Sequence, residues 1–109
     1  MCTSFKTELL KGVHNFTAAS DKFKLALYNN SSSFNAGTVS YTATNEISGT
    51  NYTAGGNAIT TVTPTSSSTT AFVDANDVVF SNVTINLVRG ALFYNNAPVS
   101  GGGTPSVAV

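Results

Sequence analysis

The hydrophobic pattern of residues 74–95, DANDVVFSNVTINLVRGALFYN, predicts the centre of a sheet. Val83, Ile85 and Leu87 alternate with Thr84, Asn86 and Val88, the period of a strand with one face in a core. Val78 and Phe80 fall on the opposite parity. One extra residue near Ser81 and Asn82 therefore reads as a β-bulge that lets Phe80 and Val83 share a face. After Gly90, residues 91–94 read as the second strand of a central pair.

Upstream, Phe5, Leu9 and Leu10 fall on one face of a short helix that Thr3 or Ser4 would cap and Gly12 would stop. So short a helix is marginal alone, so this face must dock on the chain's own sheet or on a neighbour. His14 and Phe16 follow in an extended lead-in. The lone His14 reads as structural or solvent-facing, because the sequence gives an imidazole no visible catalytic or metal partner.

Residues 21–28 predict a strand with Phe23, Leu25 and Leu27 on its inner face and Lys22, Lys24, Ala26 and Tyr28 outside, which suits an exposed or edge strand. Residues 29–33 predict a turn, 38–42 a short strand, and 58–63 a β-branched strand ended by Pro64. Residues 65–70 read as a low-complexity loop, and 71–73 as a return to the sheet. Residues 100–105 read as a connector before the strand-like Ser106 to Val109, which either pairs back into the sheet or continues past Val109.

The 109 residues fit one domain, and only 9% are charged against roughly 25% in average proteins. Five Lys+Arg balance five Asp+Glu, so no basic stripe exists for nucleic acid, and a neutral surface favours association. No apolar run approaches a membrane span or a signal-peptide core, which predicts a soluble chain. Lone Cys2 excludes an internal disulfide and reads as a small buried thiol. The Asn-x-Ser/Thr matches at Asn15, Asn30, Asn51 and Asn82 read as products of composition.

Candidate chemistry is sparse. Asp74, Asn76 and Asp77 are the candidate metal ligands, with oxygen donors a Ca²⁺ loop would use, but such residues also make ordinary turns. The glycines at 49, 55 and 56 lack the Lys-Ser/Thr of a phosphate loop, and no Ser-His-acid constellation is visible. Tyr28, Tyr41, Tyr52 and Tyr94 could stack on sugars, form an interface or fill a core. Arg89 suits a salt bridge to Asp74 or Asp77, or an intersubunit contact.

The opening MCTSFKTELLKGVHNF, then FKLALY (23–28), YTAGG (52–56), TAFVD (70–74) with Asp77-Val78, and RGALFYN (89–95) resemble a family of small tailed-bacteriophage virion proteins, in the same order over most of the chain. Such proteins often carry Trp where Val79-Phe80 stands and continue past the final Ala-Val strand. The resemblance implies a particle component: first a capsid decoration (cement) protein on the outer capsid surface, second a tail or fibre component that binds host glycan through the tyrosines.

These readings combine into a mainly β chain, an antiparallel β-sandwich or small β-barrel of seven or eight strands with a short N-terminal helix. Residues 1–16 form an anchoring arm and 17–109 the β domain. Function is expected to be non-enzymatic and cofactor-free. Phe5, Leu9, Leu10 and Phe16 are the expected partner contacts, with the major capsid protein and further copies of the chain, a trimer being the natural assembly, and loops around Ser31 and Ser67 face outward.

Overall fold

A computed structural model describes residues 1–17, 22–60, 63–97 and 107–109. Its elements are α1 (Thr3–Leu10), β1 (Phe23–Tyr28), β2 (Asn57–Ala58), β3 (Thr65–Ser67), β4 (Thr70–Phe72), β5 (Gly90–Asn95) and β6 (Val107–Ala108). The fold is mainly β with one short N-terminal helix. The described strands form an antiparallel sheet in the order β2-β1-β5-β6 and a separate β3-β4 hairpin.

β1 and β5 pair along their whole length, from Phe23 opposite Asn95 to Tyr28 opposite Gly90. Opposed residues share a face, so Ala26, Tyr28, Leu92 and Tyr94 lie together and form the core with Cys2, Phe5 and Ala108. Phe23 is buried as expected (1% exposed), but Ala26 and Tyr28, expected outside, are 0% exposed, whereas Leu25 and Leu27 are half-buried. Nor is β1 an edge, having β2 and β5 on either side. On the other face Phe23 stacks between Phe16 (centroids 4.6 Å) and Phe93 (5.3 Å).

Helix α1 starts at Cys2 without a side-chain cap, and the Thr3 amide instead donates to Ala36 O. It stops as expected at Gly12, whose φ of +71° lets Gly12 N donate to Leu9 O and Val13 N to Glu8 O, a Schellman closure.

Residues 78–89 are not the expected bulged strand. Asn82 and Leu87 take positive φ (52° and 57°), which ends the extended alternation and leaves Leu87 77% exposed. The segment is tied instead by one Thr50–Thr84 bridge and by Asn51 Nδ2 and Asn57 Nδ2, which donate to Asn82 O and Val79 O. Residues 38–42 likewise form no strand, though Val39 O accepts Ala108 N. The stretch read as a loop at 65–70, with the return at 71–73, is the β3-β4 hairpin; it turns at Ser68 (φ 53°) and contacts no other element. Asp21, Thr61, Val62 and the connector at 100–105 lie outside the described residues.

Between the Glu46 and Asn57 pairings, residues 48–56 loop away from β1 and return at Gly56, with φ +70° against the Leu25 carbonyl. A methyl on Gly56 would overlap that oxygen, whereas one on Gly12 would meet open space. Gly56→Ala is therefore expected to cost about 3 kcal/mol or more and Gly12→Ala about 1 kcal/mol. Urea unfolding of the two variants would refute this ordering if their midpoints shifted equally.

Candidate functional site

An apolar groove of about 350 Å³ lies beside α1. Phe5 and Leu9 come from the helix, Phe16 from the lead-in, Phe93 from β5, and Val73 from the end of the hairpin. Among the described residues, Asp74 is the only charged side chain on its lining. Three of the expected partner contacts thus converge, but in different roles. Phe5 is 1% exposed and belongs to the chain's own core, so it is not a free contact; Leu9 is 43% exposed and Leu10, outside the groove, 91%. Phe16 is half-buried, edge-on to Phe5 at 6.2 Å.

The helix that forms one wall is fastened by a polar relay. Reversal at Gly12 brings His14 back beneath α1, its ring 4.7 Å from that of Phe5 and its Nε2 3.0 Å from Glu8 Oε2. Asn95 Oδ1 accepts the Ala97 N–H, which orients Asn95 Nδ2 to donate to His14 Nδ1 at 3.0 Å. With Nδ1 accepting, the ring proton of a neutral imidazole sits on Nε2, facing the Glu8 carboxylate. His14 is structural, one of the two alternatives expected. Its partners were missed because only the helix stop, not sequence proximity, brings them together.

The tyrosines turn inward around half-buried Glu46. Tyr41 Oη donates to Oε2 at 2.6 Å; Tyr52 Oη and the Gly55 N–H both donate to Oε1 at 2.7 Å. Tyr52 Oη also accepts the Leu27 N–H, while Tyr28 and Tyr94 donate to the carbonyls of Thr42 and Gly55. Burial first, then the hydrogen bond and charge of Glu46, pushes the Tyr41 hydroxyl up to about 12. Tyr28, Tyr52 and Tyr94 are also raised, chiefly by burial.

The candidate metal ligands lie on an exposed run: Asp74 Oδ1 accepts the Ala75 N–H and Asn76 N donates to Thr60 O. Among the described residues, no three His, Cys, Asp or Glu side chains gather as a metal site, and Arg89 makes no ion pair with Asp74 or Asp77. No helix among them is long and apolar enough to cross a membrane. Groove residues missed in the sequence are Met1, Val73, Ala75, Phe93 and Val109. Phe93 alone carried a signal, its parity with Leu25 across the ladder. Comparison with protein-family models, curated proteins and solved structures finds no match.

A hydroxyl whose folded pKa exceeds its unfolded value favours the fold fully below the unfolded pKa, and that contribution is lost as pH rises through the folded one. For Tyr41 the window runs from 10.0 to about 12. The melting temperature should fall there, with phenolate absorbance rising alongside unfolding. Glu46→Gln replaces an acceptor by a donor and should cost about 1–3 kcal/mol. Tyrosines titrating freely at their ordinary value in the folded chain would contradict the buried network.

Proposed function

We propose that the chain is a non-enzymatic structural protein of a tailed-bacteriophage virion, a decoration protein that docks on the outer capsid through the groove and the exposed leucines of α1. The observation that carries this reading is the apolar surface left beside the groove, with Leu10 91% and Met1 72% exposed. Fully burying a leucine contributes about 1.5–3 kcal/mol, so a few such contacts on each copy, multiplied by capsid symmetry, bridge shell subunits without any chemical step. The resemblance to small virion proteins supplies the particle context, and the balanced charge of the chain suits a life in an assembly. Major capsid protein and further copies of the chain, as a trimer at a local threefold axis, are the partners this reading requires. The tail reading relied on tyrosine rings facing a glycan; Tyr28 and Tyr94 are 0% and 1% exposed, so it gains no support from them.

Because Phe5 and Cys2 sit in the core, deleting the arm would damage the fold, and a surface substitution is the sharper test. Capsids lacking the protein should bind the wild-type chain at local symmetry axes in cryo-electron microscopy maps. Leu10→Glu should bind at least about tenfold more weakly, with stability within about 0.5 kcal/mol of wild type. Density on the tail with bare capsid axes, or undiminished binding by Leu10→Glu, would overturn the proposal.

A further inference from the structure

A second concavity shares no lining residue with the groove. It is a cleft of about 220 Å³ between residues 32–38 and 42–45, lined by Ser32, Phe34, Thr38, Thr42, Thr44 and Asn45 among others. We infer that this cleft is a subsite for one ring of a neutral saccharide.

Its walls are fixed by internal bonds. Asn29 N donates to Asn45 O at 3.1 Å, Asn45 Nδ2 to Ser31 O at 3.0 Å, and Tyr28 Oη to Thr42 O at 2.6 Å. Phe34 is held edge-on to Tyr28, centroids 4.6 Å apart. The hydroxyls are fixed as well. Thr38 Oγ1 accepts the Asn35 N–H at 3.0 Å and Thr42 Oγ1 accepts the Thr44 N–H at 3.2 Å, so each keeps its own O–H to donate. Ser32 Oγ donates to Asn29 O at 2.9 Å and keeps its lone pairs to accept.

Among the described residues, no charged side chain lines the cleft, so a phosphate, carboxylate or cation would lose hydration without gaining a counter-charge. A purely apolar ligand would leave the hydroxyls unpaired. A pyranose ring answers both demands, with hydroxyls that donate and accept around its rim and a C–H face for Phe34. The volume falls below the roughly 300–1,000 Å³ of drug-sized pockets, which limits the occupant to one ring. A few neutral hydrogen bonds in a half-open site give millimolar affinity, which repetition on a symmetric assembly would raise by avidity.

The test is titration of the isotopically labelled full chain with methyl glucoside, galactoside and mannoside, followed by amide NMR. At least one glycoside should give saturable shifts confined to residues 32–45 and insensitive to added salt. Thr44→Val leaves the wall bonds intact and should weaken that binding about fivefold. Absence of a saturable shift with every glycoside, equal shifts from open-chain sorbitol, or unchanged binding by Thr44→Val would overturn the inference.

Discussion

The ladder between β1 and β5 is the constraint on which the other parts depend. Its register decides which side chains share a face, and a slip of one residue would exchange the Ala26, Tyr28, Leu92 and Tyr94 core for the Phe23, Leu25 and Phe93 side. Both flanks are then committed. Tyr28 pairs with Glu46 and Leu25 with Asn57 on one side, which places the intervening loop and its Tyr52; Tyr94 pairs with Ala108 on the other, which places β6 under α1. The groove wall, the polar relay and the tyrosine network are all consequences of this one pairing.

Two polar networks convert the pairing into a single arrangement. Hydrophobic contact would tolerate α1 sliding by a fraction of a turn, but the 3.0 Å approach of Glu8 Oε2 to His14 Nε2 and the Asn95 bond to His14 Nδ1 mark one helix position. Glu46 does the same for residues 41–55, gathering two phenols and a backbone amide that would otherwise need water. In a chain with so few charges, two of its acidic residues are thus spent inside the fold.

Legibility in the sequence followed the reach of the interaction. The Gly12 stop and the strands near 23–28 and 90–95 were readable, because glycine conformation and local alternation are properties of neighbouring residues. Alternation misled at 78–88, since it marks a strand only while the backbone stays extended, and Asn82 and Leu87 leave that region. Charge misled on β1: Lys24 suggested a solvent face, yet its ammonium reaches toward Gly55 and leaves Ala26 and Tyr28 to the core. Polarity misled at 65–70, where Thr65, Ser66 and Ser67 pair with Phe72, Ala71 and Thr70 in a hairpin. Of the groove, Leu9 was legible, but the opposite wall was not, because Val73 and Phe93 join it only through tertiary packing.

A nearly uncharged surface also constrains how the molecule can recognise anything. Without complementary fields, association proceeds at the unsteered rate of about 10⁵–10⁶ M⁻¹s⁻¹ and gains little discrimination from repulsion of wrong partners. Specificity must then come from shape and from fixed hydrogen-bonding groups, which demand rigid walls. Both concavities have them: the groove leans on a helix locked by His14, and the hydroxyl cleft on straps from Asn45 and Tyr28. The internal polar networks are therefore the means by which a neutral surface holds a definite shape.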